Sequence, residues 1–280
     1  NTNYTRLGGN WIRYNTLDGV LVGGNSQNTI IGGPSLNNSL TGNVIGKNGD
    51  DGVELQGSNV RYTLLAGNAI GVLPGAGQYD GNYRHGVRVN GAHNNAIGDS
   101  NALTNTIGGS FGMGVLLTNG ASQNAVARNV IGLATAPNNI DGVYLANGAH
   151  DNVIGATGNV IEYNSNGVTI EGSTTATNTV INNVLRHNLA GIRLSDGAFN
   201  NTIGQAGADN TIAENTTNGL EIASGAHHNF INGNIVSNNS DNGLRLLNTA
   251  TNNVITGTTF ISNGRDGLSE DIGTSGNNWS

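Results

Sequence analysis

The chain of 280 residues contains 45 Gly and 49 Asn, only 36 % apolar and 10 % charged residues, and carries a formal net charge of −7 from 11 Lys/Arg against 18 Asp/Glu. Gly and Asn are poor helix formers that favour turns and left-handed backbone positions, so a helical protein is excluded, and three prolines without a Gly-X-Y period exclude collagen. The weak acidity comes without a basic patch, zinc-finger spacing or recognition helix, which argues against nucleic acid as a partner. The absence of cysteine removes disulfides, thiolate metal sites and cysteine nucleophiles.

In chain order, the first recurrent element is Gly followed by Val, Ile or Leu, at Gly19, Gly52, Gly86, Gly114, Gly142, Gly167, Gly191, Gly219, Gly243 and Gly267. The intervals fall from 33 and 34 residues at the start to 24 at the end, so a minimal unit of 24 carries insertions that cluster in the first half. The unit that begins at Gly142 shows three strand-like pieces, GVYL, NVI and NVI, and the following units repeat them as GVTI, NTVI and NVLRHN, then as GIRL, NTIG and NTIAEN. Period-2 alternation turns Val143 and Leu145 inward and Tyr144 outward, and every unit supplies the same inward pair, from Val20 and Val22 to Leu244 and Leu246.

Three short strands in a unit of 24 wind once around a solenoid, whereas a propeller blade needs about 40 residues. Ten rungs at an interstrand spacing of roughly 4.8 Å make a rod on the order of 48 Å long. Residues 1–280 read as a single solenoid domain, or as an excerpt of a longer chain. One set of asparagines precedes the second strand (Asn28, Asn95, Asn124, Asn152, Asn178, Asn201, Asn229 and Asn253). Another precedes the third (Asn43, Asn68, Asn105, Asn129, Asn159, Asn183, Asn210 and Asn234). Stacked rung on rung, these amides are expected to form interior hydrogen-bond ladders. The marker glycines are expected at tight corners or positive φ. Uncapped terminal rungs point to end-to-end association or to further repeats.

The outward column of the first strand reads Leu21, Glu54, Arg88, Leu116, Tyr144, Thr169, Arg193, Glu221, Arg245 and Ser269. Glu221 between Arg193 and Arg245, and Glu54 beside Arg88, suit cross-strand ion pairing. The same column suits an acidic polysaccharide, with arginines receiving uronate carboxylates and Tyr144 stacking on a sugar face. The densest polar group is in the excursion 72–89, with Tyr79, Asp80, Tyr83, Arg84, His85 and Arg88. For a uronate polymer, Arg84 or Arg88 would neutralise the carboxylate, Tyr83 or His85 would move the C5 proton, and Glu54 and Asp80 would orient them. His93, His150 and His227 occupy equivalent turns two and three units apart, too far to share a metal. Asp50/Asp51 and Glu270/Asp271 match no calcium-loop pattern. No metal site and no cofactor are expected.

The phrases NxIGG, GNxIG and GVxLxxGAxxN resemble right-handed parallel β-helix repeats of exported bacterial and surface proteins, over nearly the whole chain. The resemblance implies an all-β, single-stranded right-handed parallel β-helix of about ten rungs with three short strands each, and a secreted or cell-surface location. That fold family includes pectate and alginate lyases, mannuronan C5-epimerases, phage tailspikes, copper-delivery proteins and noncatalytic adhesin segments. Arg84-His85-Gly86-Val87 resembles the Arg-His-Gly-aromatic segment of the mannuronan C5-epimerases, as does Asp51-Gly52-Val53-Glu54 in the preceding rung, and implies an active-site region there. The epimerases' Asp-Pro-His-Glu motif has no counterpart, and Gln56 stands where their acid is expected. The reading is thus an extracellular scaffold or adhesive carbohydrate-binding repeat domain, with a uronate-polysaccharide epimerase or lyase centred on Tyr79 to Arg88 as the alternative.

Overall fold

The computed structural model describes residues 4–33, 42–75, 78–98 and 103–280. Its strands are two to six residues long and form three parallel sheets of 11, 10 and 10 strands. Each sheet takes every third strand in order, which is a parallel β-helix, right-handed as expected. The sheet of marker strands runs from Val20–Val22 to Leu268–Glu270 and is called the first sheet here; the second begins at Thr5–Leu7 and the third at Trp11–Arg13.

The register follows the alternation. Val143 pairs with Val115 and Val168, and Tyr144 with Leu116 and Thr169, so equivalent side chains stack along the rod. The inward pairs, such as Val53 and Leu55 or Ile192 and Leu194, are fully buried and join the other sheets in one continuous core. No rung buries its own apolar face, so the core exists only through stacking.

Polar ladders flank the core. In the second sheet Thr63, Asn95, Asn124, Asn152 and the asparagines after them each send a backbone N–H to the Oδ1 of the next rung, ending on Asn277. Asn28 does not belong to this ladder. It lies one residue early, at φ 55°, in a corner column that continues through Tyr62, Asn94 and Gln123, and Thr29 occupies the buried position. The ladder before the third sheet contains all eight expected residues, from Asn43 to Asn234, preceded by Asn10. A third ladder was not expected. Asn15, Asn48 and Asn82, then Ser110, Asn138, Asn164 and onward to Asn263, line the corner before the first sheet.

The marker glycines differ from expectation in their reason. None has positive φ; a Cβ on Gly191 would lie 2.5 Å from the carbonyl oxygen of Gly219 and 2.4 Å from Ile212 Cγ2. Close approach of successive rungs, and not backbone conformation, requires Gly there.

Candidate functional site

The outward column of the first sheet lies in the expected register over its whole length. In its second half, Arg193 Nε is 3.2 Å from Glu221 Oε1, while Arg245 Nη2 bonds Asp271 Oδ2 at 2.8 Å. Arg193, Glu221 and Arg245 border a groove of about 410 Å3, whose lining is completed by Asn166, Leu189, Ala190, Thr217, Asn218 and the acidic Asp241. The chain length at the corner explains its location. Gly167 follows Asn164 and Gly191 follows Asn188 by three positions, against four from Asn138 to Gly142 or from Asn215 to Gly219. With one residue fewer, these two rungs enter the sheet early, as the six-residue strands Asn166–Glu171 and Ala190–Ser195, and the corner is recessed between fuller neighbours.

Tyr144 is less free than its outward position implies. Burial and then a hydrogen bond to Glu171 push its hydroxyl well above the ordinary phenol value. Its neighbour Asp141 accepts from the backbone N–H and the Nδ2 of Asn166, both at 2.9 Å, and burial raises its carboxyl.

The excursion 72–89 is split between surroundings; its residues 76–77 lie outside the described set. Tyr79 bridges back to Val72 and its ring is covered by Lys47 Nζ at 4.2 Å. Asp80, almost fully buried, bonds Arg13 Nη2 at 2.5 Å, toward the third sheet. Tyr83 is exposed and stacks on Phe111 with centroids 5.5 Å apart, and Tyr79 meets Phe111 edge-on at 6.4 Å. Arg84 Nη1 reaches Asp50 at 3.1 Å. His85 sits in the corner column below the marker glycine, where its Nδ1 accepts the Met113 N–H at 3.1 Å. Burial, then Arg84 and Arg88, hold its pKa down at about 4, so the imidazole is neutral at pH 7. The four residues read as catalytic are therefore held by different partners: two through an aromatic cluster, one by an ion pair and one by a backbone bond.

Glu54 and Arg88 do meet, at 3.5 Å, and Asn90 Nδ2 donates to Glu54 Oε1 at 2.9 Å. Asp18 and Asp51 approach the same spot, so that one oxygen from each of Asp18, Asp51 and Glu54 lies within 4.8 Å of the others. Burial pushes the Asp51 carboxyl up to about 7. This triad was missed because Asp18 and Asp51 are 33 residues apart; the signal was their shared place immediately before a marker glycine. The histidine turns fall as expected. His93 is followed in its column by Ser122 and His150, then Ala176, Phe199 and His227.

Residues 132–279 match the family described as periplasmic copper-binding protein (NosD). No curated protein sequence matches the chain. Among solved structures it resembles an alginate lyase from Paenibacillus sp. str. FPU-7, at 13 % identity and TM-score 0.57, covering 95 % of this chain and 99 % of the lyase. It also resembles the Dettilon tailspike protein, at 15 % identity and TM-score 0.56 over 96 % of this chain and 61 % of the tailspike. A mutant of the periplasmic alginate epimerase AlgG aligns at 14 % identity and TM-score 0.54, over 86 % of this chain and 63 % of the epimerase. This chain thus spans less than two thirds of the length of the last two, and at such identities the likeness is one of fold.

Proposed function

The chain belongs to the family of periplasmic copper-binding proteins NosD, and from that premise we propose an extracytoplasmic β-helical scaffold that binds an acidic polysaccharide along the groove of its first sheet. The observation that carries this reading is the recessed corner at Asn166 and Ala190, set beside the Arg193–Glu221–Arg245 column. Arg193 and Arg245 are two strands apart, twice the ~4.8 Å interstrand spacing, so an extended sugar chain lying along the rod offers each of them a carboxylate. Each guanidinium exchanges a half-buried acid partner for a uronate carboxylate, a planar two-point contact that orients the ring. The net charge of −7 opposes a polyanion only at long range, and at physiological salt that repulsion is screened beyond about 8 Å. A periplasmic or secreted location agrees with the family and with the structural relatives.

Copper does not fit the side chains. Among the described residues, the cluster of three or more metal-capable groups consists of the carboxylates Asp18, Asp51 and Glu54, and it lies outside the matched segment. Copper sites draw on imidazole, thiolate or thioether donors. The chain has no cysteine and one methionine, its equivalent histidines are separated by intervening rungs, and the adjacent His227 and His228, with their Nδ1 atoms 2.8 Å apart, have no third such donor beside them among the described residues. No step is therefore assigned to copper.

Titration with alginate, pectate and polymannuronate oligomers by calorimetry tests the reading. Binding that weakens at least about tenfold in Arg193→Gln and in Arg245→Gln is expected, since each charge-assisted contact contributes roughly 1.5–3 kcal/mol. Binding unchanged in both variants would overturn the assigned groove. Turnover, seen as unsaturated uronate ends or as C5 inversion by proton NMR and lost in Tyr83→Phe or His85→Asn, would instead establish the enzyme alternative at residues 79–88.

A further inference from the structure

We propose that Asp18, Asp51 and Glu54 form a binding site for a hard divalent cation of the calcium class, which clips the rung of Val20–Val22 to that of Val53–Gln56. Asp18 and Asp51 occupy the same corner position in successive rungs, and Glu54 points outward from the strand that follows Asp51. Each carboxylate is already oriented by a protein donor to one of its oxygens. Asp18 Oδ1 accepts from the Asp51 N–H at 3.0 Å, Asp51 Oδ1 from the His85 N–H at 3.0 Å, and Glu54 Oε1 from Asn90 Nδ2 at 2.9 Å. The three groups converge with an oxygen from each within 4.8 Å of the others. Oxygens that share one calcium ion at about 2.3–2.6 Å stand no more than roughly 5.2 Å apart, so the spacing suits such an ion.

A second observation points to a missing ligand. Asp51 is fully buried, and its Oδ2 has no hydrogen-bond partner. The nearest cationic group, Arg88 Nη1, stands 3.9 Å from that oxygen and 3.5 Å from Glu54, and the Arg88 Nε is itself buried without a partner. One guanidinium in poor contact leaves three clustered carboxylates undercompensated, and an unpaired buried charge is costly. The ladder does not need that charge. The same corner position is filled by the neutral Asn218 and Asn242, where Asn218 Oδ1 accepts the Asn242 N–H in the same way. The donor set is carboxylate oxygen alone, which selects calcium-like cations over copper.

The test is calorimetric titration of chelator-stripped protein with calcium chloride, alongside thermal unfolding with and without the ion. Saturable binding at one ion per chain and a raised Tm are expected, with a Kd of about 10⁻⁴ M as in rigid extracellular sites. Glu54→Gln keeps the contact to Asn90 and should weaken binding at least about tenfold, Asp51→Asn should abolish it, and Glu221→Gln, several rungs away, should leave it intact. If Asp51→Asn fails to fold by circular dichroism, Glu54→Gln decides the matter alone. Absence of both heat and Tm shift at millimolar calcium would overturn the site, as would calcium affinity unchanged in Glu54→Gln, or saturable binding of copper chloride where calcium chloride gives none.

Discussion

Asn178 Oδ1 accepts two hydrogen bonds from one residue of the rung before it, the backbone N–H of Asn152 at 3.1 Å and its Nδ2 at 3.0 Å. The same Nδ2 also reaches the carbonyl of Ala121, and Asn152 Oδ1 in turn serves Asn124. Both ladder residues are fully buried, so each amide closes main-chain and side-chain groups that water cannot reach.

Replacing Asn152 with Leu removes an acceptor for two donors of Asn124 and a donor to both Asn178 and Ala121. With about 1–3 kcal/mol per buried group left unpaired, a loss on the order of 3 kcal/mol is expected, partly offset by the added apolar contact. Chemical and thermal unfolding against the parent checks it; equal midpoints would show that the ladder contributes little to stability.

Gly191→Ala should be as severe although it adds a single methyl. The new Cβ would lie 2.5 Å from the Gly219 carbonyl oxygen and 2.4 Å from Ile212 Cγ2, with rungs on either side preventing retreat. A destabilisation of about 3 kcal/mol is expected from this overpacking. Gly207→Ala, where nothing lies within 4 Å but φ is +79°, separates the two demands on glycine and should cost only about 1 kcal/mol. A smaller loss in Gly191→Ala than in Gly207→Ala would mean that the rungs yield.

His85 sets an acid-side dependence of stability. Its pKa falls from the model-compound 6.5 to about 4 on folding, by burial and then by Arg84 and Arg88, with Asp50 opposing. The unfolded chain therefore binds the proton more readily. The His85 contribution is fully present above about pH 6.5 and is lost as pH falls toward 4, a difference on the order of 3 kcal/mol. Asp51, which accepts the His85 N–H and whose carboxyl burial pushes up to about 7, contributes in the opposite sense over the same window, so the difference between parent and variant isolates His85. His85→Asn supplies an amide oxygen to the Met113 N–H, as Asn218 does for Asn242, and should flatten the profile between pH 6.5 and 4. Denaturant titrations at pH 7 and pH 4.5 that fall equally in parent and variant would contradict this account.

Much of the candidate site was open to reading because the register of a parallel stack follows the sequence period. Once Gly191, Gly219 and Gly243 are aligned, Arg193, Glu221 and Arg245 must be neighbours. The third ladder shows how such a reading fails. Ser110 interrupts it, and the excursions ahead of Asn82 and Asn138 disguise its spacing from the third strand. Its distance to the marker glycine, four positions as from Asn48 to Gly52 and three at Asn164 and Asn188, was the usable signal. Asn28 errs the other way: it has the right residue type one position early, where a left-handed corner accepts Asn as readily as the ladder does.

The amino-acid sequence alone determined the β-helix, the inward pairs of each rung and the stacking of equivalent positions, because a strand period of two and a rung of 24 leave one consistent winding. Tertiary structure alone decided the partners of the exceptions. Asp80 faces Arg13 and not His85, Arg245 chooses Asp271, and Asp18 closes with Glu54 across a rung boundary. The physical reason is that corners vary by single residues and swing side chains through large angles, while the strands between them are held in register by every rung above and below.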